Sequence, residues 1–237
     1  MTQTLVDHAE ARDSRHHARL NSLRAGVLGA NDGIVSVAAL LLGVIGSGAS
    51  AHTIVISGLA ATVAGAVSMA LGEYVSVSAQ RDTEEVLIAK ERAELRDFPV
   101  KEHRALAGIL QEYGMSAETA DRAALEMEQG DTLAAHLQLK LGIDSEDLTS
   151  PWAAAVCSAA SFVVGALLPL LTAYFAPEGS AAAMVAAVTI MTLALTGLAS
   201  ATLAGTNRAR SVLRLVVGGA LGLAVTFGVG ALFGTTV

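Results

Sequence analysis

Hydrophobic positions along the chain fall into long unbroken runs separated by polar stretches. Five runs stay apolar long enough to cross a bilayer, at approximately 25–47, 54–79, 152–175, 181–204 and 211–234. A hydrocarbon core about 30 Å thick takes roughly 20 residues of helix, so each run predicts a transmembrane helix. The connections 48–53 and 176–180 are short and predict helical hairpins. Residues 80–150 follow a different pattern, with charged positions interleaved with apolar ones at helical spacing. There TEEVLIAKERAELRDF carries the second span onward until Pro99 interrupts it. KEHRALAGILQEYG, SAETADRAALEMEQG and DTLAAHLQLKLG follow, each ended or followed by a glycine stop signal. The expected fold is all-α: five transmembrane helices with a small helical bundle inserted between the second and third. The expected divisions are a tail over 1–24, two spans over 25–79, the insert over 80–150, and three spans over 151–237.

Composition agrees with this pattern. Hydrophobic residues make up 53% of the 237 positions and charged residues only 16%, too apolar for an ordinary soluble domain of this size. The net charge of −7 argues against a nucleic-acid partner. The single cysteine, Cys157, lies in an apolar run, so neither a disulfide framework nor a paired-cysteine metal site is expected. The N-terminal stretch MTQTLVDHAEARDSRHHARL has no apolar core, and no cleavable signal peptide is expected.

Charge placement supplies an orientation. All 15 lysines and arginines lie on one side of the predicted membrane. Arg12, Arg15, Arg19 and Arg24 precede the first span, and Arg208, Arg210 and Arg214 flank the fourth-to-fifth connection. Arg81, Lys90, Arg92, Arg96, Lys101, Arg104, Arg122 and Lys140 fall in the insert. The positive-inside rule makes that side cytosolic, with the N-terminus and insert inside and the C-terminus outside. Glycines recur at Gly26, Gly29 and Gly33, at Gly58, Gly65 and Gly72, and at Gly218, Gly219 and Gly222, a pattern that admits close helix packing.

Two acids break the apolar runs. Of the 22 acidic residues, only Asp32 and Glu73 fall within predicted spans, and Glu178 occupies the short outer loop. An ionisable group inside a span is costly and marks a functional position by default. Asp32 follows Arg24 by eight residues and Glu73 precedes Arg81 by eight, which puts each carboxylate about 12 Å from its arginine. The two helices run in opposite directions, so the carboxylates reach similar depth. Met69 lies one turn from Glu73 on the same face, and Asn31 adds an amide oxygen beside Asp32. Carboxylates accept Mg²⁺, Ca²⁺, Mn²⁺ and Fe²⁺ alike, whereas a thioether shifts the preference towards transition metals. A carboxylate in a low-dielectric cavity holds a proton or a metal, but not both easily, which is the physical basis for metal/proton exchange.

GANDGIVSVAALLLGV, followed by GLAATVAGAVSMALGEYVSVSAQRD, closely resembles the first two spans of the vacuolar iron transporter family. SAASFVVGALLPLL, with Pro169, looks like that family's third span, and the order of five spans with one cytosolic insert also matches. The resemblance implies a proton-coupled exporter of Fe²⁺, often also Mn²⁺, that works as a homodimer and carries no prosthetic group. Asp32 and Met69 occupy the family's metal-path positions, and the GEYVS motif supplies Glu73. The expected location is the inner membrane of a bacterial cell, or a vacuolar membrane in a eukaryote.

The resemblance further implies metal-binding glutamates in the insert. Glu91 and Glu94 match the family's paired glutamates, three apart on one helix face, and Glu102 matches the next. Beyond that the pattern fails. In HLQLKLG, His136 and Leu137 stand where plant members carry two methionines, and Lys140 stands where they carry a glutamate. Glu112, Glu126, Met127 and Glu128 are nearby metal candidates without a firm match. The insert is therefore expected to be either a weakened metal buffer or a structural cap.

Two other functions compete with transport. A metal sensor or scaffold would bind ions without flux. A membrane ferroxidase or protease is disfavoured, because the chain has no HExxH, no GxSxG and no Glu-x-x-His pairs.

Overall fold

The computed structural model describes residues 26–143, 150–177 and 179–234. Arg12, Arg15, Arg19, Arg24 and Glu178 lie outside the described residues. Helices form two compact units. One runs from residue 26 to Tyr74 and resumes at Pro151, and the other occupies Val75–Ser150.

The first unit holds five helices long and apolar enough to cross a membrane. These are α1 (Gly26–Gly46), the first part of α2 (Ala51–Asp97), α6 (Pro151–Phe175), α7 (Ala181–Leu203) and α8 (Arg208–Gly234). Two helices outrun their apolar stretch. The 47 residues of α2 extend about 70 Å, and α8 begins at Arg208, before its apolar run. A helix need not end where the hydrocarbon does, so the limits of the apolar runs underestimate helix length.

Helix α1 is the centre of this unit. Its Val37 and Leu41 are fully buried with Ile54 of α2 and with Phe162 and Ala166 of α6. The adjacent positions Ala38 and Leu42 are buried with Val185 of α7 and Leu223 of α8. Positions 37 and 41, like 38 and 42, are one turn apart, so α1 presents two neighbouring stripes to two sets of helices. Glycines permit the closest approaches. A Cβ on Gly33 would strike the backbone at Phe162, and one on Gly165 would strike the backbone at Ala30. On the α8 side, a Cβ on Gly230 would strike the backbone of Gly43. Backbone-to-backbone packing of this kind is how helices associate where lipid removes the hydrophobic drive. Gly72, Gly218 and Gly222 differ from the expectation of close packing, since a Cβ on any of them would meet nothing within 4 Å among the described residues.

The second unit continues α2 to Asp97 and adds α3 (Pro99–Glu112), α4 (Ala117–Glu128) and α5 (Thr132–His136). Pro99 occupies the first turn of α3, where its missing N–H costs nothing. Ser116 and Asp131 cap α4 and α5 by accepting from the amides of Thr119 and Ala134. Leu106, Ala107, Leu110, Ala120 and Ala124 form the core, with Met127 and Leu139 against it. One element departs from the expected pattern. DTLAAHLQLKLG is not one α-helix, because after His136 it widens into a π-helical turn over Leu137–Leu141. Gly142, at φ +66°, ends that turn with its amide bonded to Gln138 and the next amide bonded to Leu137.

Candidate metal centres

Potential ligands lie in both units. In the membrane unit, Asn31 and Asp32 lie on α1, beside the α1–α6 crossing that Gly33 and Gly165 make possible. Both are half-buried. Asp32 Oδ1 accepts a hydrogen bond from Ser36 Oγ at 2.6 Å. Asn31 Oδ1 is buried and has no hydrogen-bond partner among the described residues. A buried amide oxygen without a donor is costly. On α2, Met69 packs against the Val37, Leu41 and Phe162 cluster, and Glu73 is half-buried one turn further along. Beside Glu73, the ring of Tyr74 meets Trp152 of α6 with centroids 4.8 Å apart, which fixes this part of α2 against α6.

The insert contains the tightest assembly. Glu91 of α2, Glu102 of α3 and His136 of α5 offer ligand atoms that all lie within 4.8 Å of one another, and all three residues are buried. It is the one group of three or more histidine, cysteine or acidic ligands found this close among the described residues. Helix geometry explains the assembly. Glu91 is near the end of α2, and Glu102 is in the first turn of α3 just past the Pro99 break. His136 comes from the last turn of α5.

A lysine already sits among these ligands. Lys140 Nζ donates to Glu91 Oε1 and Oε2 at 2.9 Å each and to Glu102 Oε2 at 2.6 Å. Glu94 Oε2 is 3.6 Å away. Lys101 Nζ lies 3.4 Å from the other oxygen of Glu102. Burial pushes the Glu102 carboxyl up, but the hydrogen bonds and charge of Lys140 and Lys101 outweigh it and hold the group below its ordinary value. Burial likewise draws the Lys140 ammonium down, and its bonds to Glu102 and Glu91 more than offset this and hold it above the usual lysine value.

The histidines extend the network. His136 Nδ1 bonds Glu91 Oε1 at 3.0 Å. An ionised carboxylate only accepts, so Nδ1 carries the proton. His136 Nε2 is buried without a hydrogen-bond partner among the described residues, and Glu128 Oε1 is 4.0 Å away. His103 Nδ1 bonds Glu128 Oε2 at 3.0 Å and its Nε2 bonds Asp121 at 2.9 Å. These hydrogen bonds to Asp121 and Glu128 raise the His103 imidazole above its ordinary value.

The candidates from the sequence therefore divide. Glu91, Glu94, Glu102 and His136 come together around one point, and Glu128 joins their edge. Glu112 and Glu126 are exposed on α3 and α4, and Met127 packs against the apolar core of the insert. Two participants escaped the sequence reading: His103, and Lys140 as a member of the cluster rather than a lost ligand. His103 directly follows Glu102, and Lys140 is one helical turn from His136, so both carried a positional signal.

Comparison with known proteins places this architecture. The VIT family profile matches residues 23–231, nearly the whole chain. A vacuolar iron transporter of Acanthamoeba castellanii is 41% identical over 211 residues, covering 89% of this chain and 78% of its own length. Vacuolar iron transporter homolog 1 of Oryza sativa subsp. japonica is 41% identical over 218 residues, with 92% and 76% covered. Vacuolar iron transporter homolog 2.1 of Arabidopsis thaliana is 34% identical over 229 residues, with 96% and 88% covered. These names are those of transporters and not of enzymes. With five apolar helices, one helical insert and a profile match that spans them all, the chain belongs to the VIT family.

Proposed function

We propose that this protein is a proton-coupled exporter that moves Fe²⁺, Mn²⁺ or both out of the cytosol. Asn31, Asp32, Met69 and Glu73 form its transport path. Family membership and the names of the relatives support iron as cargo. The observation that carries the path is the unpartnered Asn31 oxygen beside Asp32, inside a span and on the helix at the centre of the membrane unit. Asp32 and Glu73 supply the negative charge that replaces the hydration shell of a dication. Asn31 adds a neutral oxygen, and the Met69 thioether biases the set against Mg²⁺ and Ca²⁺. Protonation of the same carboxylates withdraws that charge and releases the ion, so an opposing proton gradient drives export.

The insert and the N-terminal tail face the cytosol in this reading, following the arginine and lysine distribution, and the C-terminus faces outward. The membrane is the inner membrane of a bacterial cell, or the vacuolar membrane in a eukaryote. The working unit is a homodimer. At Gly72, Gly218 and Gly222 an added Cβ would meet nothing within 4 Å among the described residues, which leaves surfaces where a second copy can approach closely.

Flux into reconstituted vesicles, measured for Fe²⁺, Mn²⁺, Co²⁺ and Zn²⁺ under an imposed pH gradient, tests the proposal. Fe²⁺ or Mn²⁺ moves with proton counterflow, and Asp32→Ala or Met69→Ala abolishes it. Full proton-coupled flux in both variants would remove the path.

A further inference from the structure

We propose that Lys140 is a tethered cation that fills the carboxylate cage of the insert. Its ammonium closes the cage to divalent ions, and its removal opens a site for one transition-metal ion. This inference is independent of the transport path, because its ligands lie wholly in the insert and its test is read with the path residues replaced.

The cage has the dimensions of a coordination sphere. Two ligands of one metal, each 2.0–2.3 Å from it, stand at most about 4.5 Å apart, close to the 4.8 Å limit that contains Glu91, Glu102 and His136. The donor chemistry, carboxylate oxygen with imidazole nitrogen, suits a divalent transition ion. His136 donates its Nδ1–H to the Glu91 carboxylate and leaves Nε2 without a hydrogen-bond partner among the described residues, which is the tautomer a metal-ligating imidazole needs.

Lys140 Nζ occupies this space. It lies within 2.9 Å of three carboxylate oxygens from two glutamates and 3.6 Å from an oxygen of a third. An ammonium has three protons to donate, and those three contacts use them. A dication entering the cage would stand against a resident positive charge at bonding distance, and the carboxylate lone pairs it needs are already engaged. The negative charge that would draw it is also reduced, because Lys101 faces the remaining oxygen of Glu102. Residues present here therefore do not fit a resident metal, although the cage around them does.

The lysine is held in place. Its backbone lies in the π-helical turn Leu137–Leu141, tied off by the amides of Gly142 and Ile143. Only 26% of its side chain is exposed. It differs in this from a surface lysine, whose stem swings freely and yields to a competing ion at little cost.

Mn²⁺ binding to the full-length protein in detergent, counted by electron paramagnetic resonance, tests the inference. Asp32→Ala, Met69→Ala and Glu73→Ala are combined so that only the insert is read. In this background the chain with Lys140 binds no Mn²⁺ that depends on Glu102. Lys140→Met gains one ion per chain, bound at least about tenfold tighter than any ion in the Lys140 chain. Glu102→Gln removes the gain, and Lys140→Arg, which keeps the cation, shows none. If Lys140→Met exposes the insert to protease in metal-free buffer, Mn²⁺ restores protection. A Glu102-dependent ion in the Lys140 chain overturns the inference. So does a Lys140→Met chain that neither gains an ion nor is protected by Mn²⁺.

Discussion

The membrane unit and the insert both bury carboxylates, and they compensate them in opposite ways. Asp32 has one hydroxyl for a partner and an orphaned amide oxygen as its neighbour. Glu91 and Glu102 are more deeply buried, yet they are saturated by Lys140, Lys101 and His136. A buried carboxylate needs compensation, and the source of that compensation separates the two roles. Where the chain supplies the counter-charge, the acid holds structure together. Where the chain leaves an acid without a counter-charge, as at Asp32, the proposed transport path needs that acid for an ion.

The strongest way to break this contrast is to neutralise one acid in the membrane unit. Asp32→Asn or Glu73→Gln is expected to lower metal flux by at least about 100-fold while the melting of the insert stays unchanged. Flux near the starting level in either variant would end the idea that these acids wait for cargo.

Removing an acid from the insert is expected to cost stability. Glu102→Gln deprives Lys140 of its closest partner and should destabilise the insert by about 2–3 kcal/mol, read from protease resistance or thermal melting. The pH dependence follows from the direction of the shift. The folded Glu102 carboxyl lies below its ordinary value of 4.5, so its stabilisation is complete above that value and is lost as pH falls through the folded one. The folded Lys140 ammonium lies above its ordinary value of 10.5, so its contribution is complete below that value and is lost as pH rises through the folded one. Glu102→Gln should flatten the acid limb of the profile. An unchanged acid limb would mean that the lysine cage contributes nothing to stability.

A smaller effect sharpens the comparison at the edge of the insert. His103 is raised above its ordinary value of 6.5 by Asp121 and Glu128, so its stabilisation is present below 6.5 and fades as pH rises through the folded value. His103→Gln is expected to remove at most about 1 kcal/mol, and only on the acid side, because Asp121 is largely exposed and screened. A loss of equal size at alkaline pH would point to packing instead of charge. The smallest effect belongs to the exposed acids: Glu112→Gln and Glu126→Gln should change neither flux nor melting beyond about 0.5 kcal/mol.

The parts legible in the sequence were those governed by local rules. Five runs of roughly 20 apolar residues read directly as five helices, because a bilayer sets their length. Pro99 marked the break between α2 and α3, and the three-residue spacing of Glu91 and Glu94 put them on one face. Tertiary placement was not legible. Apart from a few polar positions such as Asp32 and Glu73, the spans are apolar around the helix, so hydrophobic periodicity does not distinguish the lipid-facing side of α1 from the two stripes that it buries. Lys140 read as a lost ligand, because substitution of a glutamate by a lysine looks like a reversal of charge. Only the meeting of α2, α3 and the π-helical turn shows that the lysine supplies the charge a cage of glutamates requires. His103 finds both of its partners on α4, which no local spacing connects to it.

The central position of α1 also bears on how the protein is made. The helix ends at Gly46, whereas α6, which buries one of its stripes, begins at Pro151 and α8, which buries part of the other, at Arg208. At 5–20 residues per second, the ribosome delivers α6 on the order of 10 s after α1. During that interval the glycine faces of α1 have no helix to meet on the α6 and α8 sides, and Asn31 and Asp32 stand without the wall that later encloses them. A span buried along two stripes is thus among the first to be synthesised, and its packing waits for segments the ribosome has yet to deliver.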